Sequence, residues 1–331
     1  MKKICYIIIA FVLGACTKED LDQPVLYENL YLIQDDPSDP VKHRIYELYE
    51  KYGASIYFND TIGKYYVKDD ANGNPYYRYE LLDLNWNFYS DNSQNVTYDF
   101  FYQTDRERQM ISLDFAEQLL EHISRKIQPY ALFFADSIAR FEKNKGEGYL
   151  MYAVQFRSVW AAGLHRKTEM QKDSLIDKIT RSLISMKISK FKSSLNEFNS
   201  ICKAAWYDCN WNRDLGLNMN STWGPSIFTE FAKQWLMAGT KWDAPWTEEQ
   251  VEAERDRIRN LIGQYGFVGG SSYASSILSP ENTSQDLDTY MNEILSCDRA
   301  EFTRRWGNCP LVMRKYEILY NLLKDELDYE L

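Results

Sequence analysis

The chain has 331 residues and a formal net charge of −10, from 48 acidic and 38 basic side chains, with three histidines. That length can bury a sizeable core, in one large domain or two modest ones. An acidic chain without a basic block is a poor candidate for nucleic acid or for an anionic lipid surface.

Lys2 and Lys3 form a short positive region, and Ile4 to Val12 is an apolar run of signal-peptide length. It is too short to span a bilayer as a helix, and no second long apolar stretch follows. The run ends in Leu13-Gly14-Ala15-Cys16, which resembles the lipobox of bacterial lipoproteins. The resemblance implies that residues 1–15 are a signal peptide, cut before Cys16, and that Cys16 carries lipid. Two or three acyl chains anchor stably, since each buried methylene adds about 0.8 kcal/mol. Thr17-Lys18-Glu19-Asp20 resembles the surface-export tag of Bacteroidota lipoproteins, so the expected location is the outer membrane, facing the cell exterior.

Residues 16–36 read as a polar tether and 37–331 as a single α+β domain, with a β-containing half to about residue 165 and a mainly helical half after it. Asp36-Pro37-Ser38-Asp39-Pro40 opens a helix to about Tyr52, with Ile45, Leu48, Tyr49 and Tyr52 on one face and Gly53 ending it. Ala54 to Asn59 reads as a strand. Lys64 to Gln103 is β-like, and Asn72-Gly73 between tyrosine-rich runs is a hairpin signal. The acids and amides around that turn lack a distal bidentate carboxylate, so they predict a plain turn and not a calcium loop. A helix is expected from Asp105 to Lys126, then a short buried strand from Tyr130 to Ala135 and a strand region from Tyr149 to Ala162. Helical pattern runs with interruption from Lys172 to Trp206. Trp211 to Pro245 reads as loop with a short helix from Phe228 to Trp235. Thr247 with Gln250 predicts a capping box for a helix to Gln264, and Gly266 to Gly270 breaks the pattern. Leu287, Tyr290, Met291, Ile294 and Leu295 have helical spacing, and a last helix runs from Leu311 to Leu327 with Val312, Tyr316, Leu319 and Leu323 inward.

Beyond Cys16 and the signal peptide, the cysteines are Cys202, Cys209, Cys297 and Cys309. In an oxidising compartment these allow two disulfides in three connectivities. On one unbroken helix Cys202 and Cys209 would lie about 10 Å apart along the axis and could not pair; Cys297 with Cys309 is the favoured bond. No Cys-x-x-Cys pair suggests zinc. The abundant aromatics (25 Tyr, 16 Phe, 9 Trp) point first to a large aromatic core and interfaces.

Leu195-Asn196-Glu197-Phe198-Asn199-Ser200, then Gly266-Phe267-Val268 followed by Tyr273-Ala274-Ser275-Ser276, then Gln285-Asp286-Leu287 stand in one order. With the lipobox, that order resembles the substrate-import-associated zinc metallohydrolase lipoproteins of Bacteroidota. The resemblance covers about residues 37 to 327 and implies a zincin-like C-terminal half. In a His-Glu-x-x-His helix, imidazoles at i and i+4 share one face and one zinc, and the Glu takes a proton from the metal-bound water. Matched residue by residue, the two His positions hold Asn196 and Ser200, the base position holds Glu197, and the downstream acidic ligand falls at Gln285 or Thr289. An amide and a hydroxyl are poor zinc ligands, so zinc is expected to be absent and Glu197 to be vestigial. His43, His122 and His165 fall singly in separate elements, and no nucleophile elbow, phosphate loop or dinucleotide fingerprint is present.

The expected function is therefore that of a catalytically inactive, metallopeptidase-like accessory or substrate-binding lipoprotein. The family association implies a SusC-like TonB-dependent transporter and a SusD-like lipoprotein as partners, with a peptide or glycan as ligand and no nucleic acid. Two alternatives stand beside it: an active zinc metallohydrolase with other ligands, and a glycan-binding surface lipoprotein using Trp206, Trp211, Trp223, Trp235, Trp242 or Trp246. The anchor is directly testable. Cys16→Ala is expected to abolish metabolic lipid labelling and release the protein from the outer-membrane fraction; normal labelling of that variant would refute the assignment.

Overall fold

The computed structural model describes residues 32–81, 96–143, 146–155, 157–217, 227–239, 244–270 and 278–329. The signal peptide, Cys16 and most of the tether lie outside these residues, as do Trp223, Trp242 and Tyr273 to Ser276. The architecture is α+β. No described helix is long and apolar enough to cross a membrane.

Helix α1 (Pro40–Tyr52) begins where the sequence predicts. The Asp39 side chain accepts from the amides of Val41 and Lys42, and Pro40 occupies the first turn, where its missing N–H costs nothing. Gly53 closes the helix in the left-handed region (φ 76°), where an L side chain would be strained. Strand β1 (Ser55–Tyr57) follows. Strands β2 (Thr61–Asp69) and β3 (Pro75–Leu81) form the predicted hairpin as a separate two-stranded sheet. Its turn is fixed by Asp70, whose carboxylate accepts from the amides of Asn72 and Asn74 at 2.8 and 2.9 Å.

The main sheet is organised around β5 (Ala131–Glu142), a strand twice the length that the sequence suggests. Its first half lies between β1 and β8 (Ser158–Ala162), parallel to both. Its second half lies between β4 (Val96–Tyr102) and β6 (Gly146–Leu150), antiparallel to both. The changeover falls at Asp136, where the β4 register skips one residue, so the strand bulges. Arg166 donates to the Asp136 carbonyl at 2.6 Å and Arg108 to its carboxylate at 2.8 Å, which holds the bulge. This polar interruption is why the sequence pattern stops at Ala135, although the backbone ladder continues. The region from Tyr149 to Ala162 resolves into the end of β6, β7 (Tyr152–Val154) and β8.

Side-chain alternation along β5 and β8 gives the sheet two buried faces. Leu132, Phe134, Val159 and Ala161 join the main core against the helices. Phe133, Ala135, Ile138, Trp160 and Ala162 form a second cluster under Tyr57, Tyr98 and Phe100. The rings of Tyr98 and Phe100 each meet Trp160 edge-on at 5.3 Å, which packs β4 side chains onto this second face.

Helix α2 (Arg106–His122) ends earlier than predicted, because Ile123 turns extended and carries its side chain, with Ile127, into the core. Helix α3 (Glu169–Ile188) starts earlier than predicted, on a Thr168/Gln171 capping box. Then come α4 (Lys192–Ser200), α5 (Glu230–Ala238) and α6 (Glu248–Gly263), the last opened by the predicted Thr247/Gln250 capping box. Helices α7 (Thr283–Ile294), α8 (Arg299–Trp306) and α9 (Pro310–Asn321) complete the helical half, and α9 continues into one π-helical turn, Leu322–Glu326. Val312, Tyr316, Leu319 and Leu323 all point inward, as their spacing requires.

Phe133 is fully buried, with its ring edge-on to Phe100 at 5.2 Å. Phe133→Ala is expected to lower unfolding free energy by about 3–5 kcal/mol in urea denaturation. Phe101→Ala, at an exposed position of β4, should change it by less than about 0.5 kcal/mol.

Candidate functional site

Three of the segments singled out in the C-terminal half meet in the core through Phe198, Gly266 and Asp286, and not through the degenerate positions Asn196, Glu197 and Ser200. Helix α4 presents Phe198 inward, while Asn196, Glu197 and Ser200 are exposed on its other side. The Ser200 hydroxyl donates to the Glu197 carbonyl at 2.7 Å, within the helix itself. Gln285, in the first turn of α7, uses its side-chain oxygen to accept the Glu281 amide at 2.6 Å, and the Thr289 hydroxyl donates to the Asp286 carbonyl at 2.7 Å. Asn196 and Ser200 are thus exposed, and Ser200 and Gln285 spend side-chain hydrogen bonds on nearby backbone. Phe198 was the inward residue of its segment because α4 packs on α9, and only one side of a short helix can be buried there.

At the convergence point sits a lysine that belongs to none of these segments. Lys315 of α9 is fully buried, and its ammonium has three protons to place. It donates one to Asp286 Oδ2, one to Cys202 Sγ at 3.1 Å and one to the Gly266 carbonyl at 3.2 Å. Its remaining surroundings are aromatic, with the rings of Phe198, Tyr290 and Phe267 centred 4.4, 4.9 and 5.4 Å away. A cation over these electron-rich faces is stabilised most where water is excluded. Asp286 accepts a second hydrogen bond from the Tyr207 hydroxyl at 2.8 Å, and its Oδ1 has no partner among the described residues. Burial pushes the Asp286 carboxyl above its usual range, and Lys315 and Tyr207 pull it back. Burial also drives the Cys202 thiol and the Tyr207 phenol upward, so both stay protonated as donors; Cys202 donates to the Tyr265 carbonyl at 3.1 Å.

Gly266-Phe267-Val268 thus has a structural task. The Gly266 carbonyl accepts from Lys315 and from the Tyr290 hydroxyl at 2.9 Å. Gly266 itself is left-handed (φ 79°), and a Cβ there would lie 3.0 Å from Cys202 Sγ and 3.2 Å from Leu311 Cβ, so no larger residue fits without displacement. Helical spacing does contain the signal for the ion pair. Lys315 falls three residues after Val312 and four before Leu319, and Asp286 four before Tyr290, so both charges lie on apolar stripes.

Helix α3 packs against α2, β7 and α7. Among the described residues, no group of three or more His, Cys, Asp and Glu side chains is placed to hold a metal ion. His43 lies 2.7 Å from Asp35, His122 3.9 Å from Asp177 and His165 3.8 Å from Asp136, each in its own region. The four described cysteines are free thiols, so the expected Cys297–Cys309 bond is not formed. Cys297 directs its thiol to the Glu293 carbonyl on α7, whereas Cys309 is buried against Gly263 of α6. Of the described tryptophans considered as sugar platforms, Trp211 is fully buried, Trp206 and Trp246 pack on the core, and Trp235 is 41% exposed. No family model matches the chain, and neither a curated protein nor a solved structure matches it.

Lys315→Met would leave the Asp286 carboxyl buried without its counter-ion, at an expected loss of about 3–5 kcal/mol near neutral pH. The loss should shrink as pH falls. A carboxyl whose folded pKa is raised above its unfolded value favours folding when protonated, and that contribution disappears as pH rises through the folded pKa. Combining Lys315→Met with Asp286→Leu should recover most of the stability. Denaturation curves in which the double variant is no more stable than the single one would refute this account of the pair.

Proposed function

We propose that this chain is an exported, lipid-anchored surface protein with a metallopeptidase-like, zincin-derived scaffold that binds and does not hydrolyse. On this reading it serves a nutrient-import system as an accessory or substrate-holding component beside a SusC-like transporter and its SusD-like lipoprotein. The observation that carries the non-catalytic part is Lys315. The buried carboxylate in the segment expected to bear an acidic ligand is already engaged by an ammonium, bonded to three partners and enclosed by aromatic rings. A metal cation brought to that carboxylate would meet a like charge in a low-dielectric interior, which is strongly unfavourable. The outward direction of Asn196, Glu197 and Ser200 supports the same reading. The lipobox sequence supports the anchor, and the transporter partners rest on the family resemblance.

Glycan binding has one observation in its favour: Phe231 and Trp235, one helical turn apart on α5, are 73% and 41% exposed. Flat exposed rings suit sugar faces, and loss of oligosaccharide retention in Trp235→Ala on affinity electrophoresis would support that variant of the proposal.

The test of the main reading is metal content. The purified mature protein is expected to hold less than about one tenth of an equivalent of zinc, against one per site in a working metallohydrolase, and to show no chelator-sensitive peptidase activity. Stoichiometric zinc, or hydrolysis abolished by a chelator and restored by zinc, would overturn it in favour of an active enzyme.

A further inference from the structure

The outer side of α4, which carries no chemistry in the reading above, borders an open groove of about 760 Å³ between α4, α9 and the π-helical turn. That volume lies within the range of ligand-binding clefts. Its floor is apolar, from Met313, Ile318 and Leu322, and its rim is acidic, from Glu197, Asp325 and Glu326. Among the described residues none of these three carboxylates has a salt-bridge partner. Glu317, also on the wall, is neutralised by Arg299 at 2.8 Å, and Arg314 is the cation lining the groove.

The helix end adds negative potential at the same place. The groove closes on the C-terminal end of α9 and its π turn, where the helix dipole is negative. The molecule's own Lys126 already responds to this, donating its ammonium to the Asp325 carbonyl at 3.0 Å. The π turn is also a local departure from α-geometry of a kind often retained at functional positions.

We propose that this groove is a docking site for a cationic, amphipathic peptide segment of another protein. Its lysine or arginine side chains reach Glu197, Asp325 and Glu326, its apolar side chains cover Met313, Ile318 and Leu322, and Arg314 meets a backbone carbonyl or acidic residue of the peptide. Electrostatic complementarity of this kind raises association rate and selects partners by sign. The inference stands apart from the lipoprotein and metal readings, since neither the anchor nor zinc content enters it.

The test uses the mature protein and a dye-labelled peptide of alternating leucine and lysine, followed by fluorescence anisotropy. Binding should saturate and weaken with added salt, and the matching leucine–glutamate peptide should not bind. Glu197→Lys with Asp325→Lys and Glu326→Lys is expected to weaken binding at least about tenfold. A control reversal of Glu50, Glu107 and Glu249 to Lys, none of which lines the groove, removes the same charge and should change affinity by less than about twofold. Because charge reversal can disturb folding, the neutral set Glu197→Gln, Asp325→Asn and Glu326→Gln is measured alongside, with an expected intermediate loss and an unchanged circular dichroism spectrum. Equal weakening by the groove and control reversals would show generic attraction to an acidic protein and overturn the proposal. So would binding of spermine as tight as that of the peptide, since the apolar floor would then contribute nothing.

Discussion

The helical half of this protein depends on one constraint: a lysine and an aspartate removed together from water. Taking a single charge into a protein interior carries a penalty of several kcal/mol, and the mutual attraction of a pair offsets it only when geometry is good and the remaining donors are satisfied. The neighbours of Lys315 satisfy all three of its ammonium protons. Asp286 supplies the counter-charge, Cys202 and the Gly266 carbonyl take the other protons, and three rings line the rest. The consequences spread outward. Gly266 must be glycine so that its carbonyl can approach, Phe198 must point inward to close the cage, and α4 is thereby left with its polar side facing solvent.

That last consequence links packing to function. A segment whose residues resemble a degenerate zinc motif keeps a structural role through its aromatic residue, while Asn196, Glu197 and Ser200 are released from any interior task. What remains for those positions is a surface, and Glu197 lies on the rim of the groove along α9. Core and surface roles are thus divided between opposite sides of one nine-residue helix.

Much of the architecture was legible because local chemistry and tertiary structure agree. Asp39-Pro40 and Gly53 bound a helix by capping, Thr247 and Gln250 open another, and Asp70 to Asn74 closes a hairpin with its own side chains. The misreadings occur where tertiary partners override local pattern. The Asp136-Ser137 interruption looked like a strand end, but β4 and β6 keep the ladder going and two arginines satisfy the bulge. Ile123 continued a helical spacing, yet the chain turns there to bury it. At the site, Asp286 stands in a segment that the sequence singles out, whereas Lys315, a charge on an apolar stripe, belongs to no motif. A buried ion pair looks polar in each partner's own helix and becomes intelligible only when the second helix is adjacent. The free thiols have a similar cause: Cys297 and Cys309 are near in sequence, but α8 between them directs one toward α7 and the other into α6.

Why a charged pair should stand where leucine and methionine would pack is a question of specificity more than stability, since hydrophobic replacements of buried ion pairs are often neutral or better. Helix α9 buries Val312, Tyr316, Leu319 and Leu323 along one stripe, and apolar stripes tolerate sliding because one aliphatic contact substitutes for another. A shift of α9 by one turn would carry Lys315 away from Asp286 and set Leu311 or Leu319 beside the carboxylate. Both charges would then be buried without partners, and the Gly266 carbonyl and Cys202 sulfur would lose their donor as well. Each unpaired group adds its own desolvation penalty, so misregistered packings are separated from the native one by far more than the pair contributes to it. A single polar contact in an apolar interface can fix register in this way. Here it sets the position of α9 against α4 and α7, and with it the spacing of Glu197 from Asp325 and Glu326 across the groove.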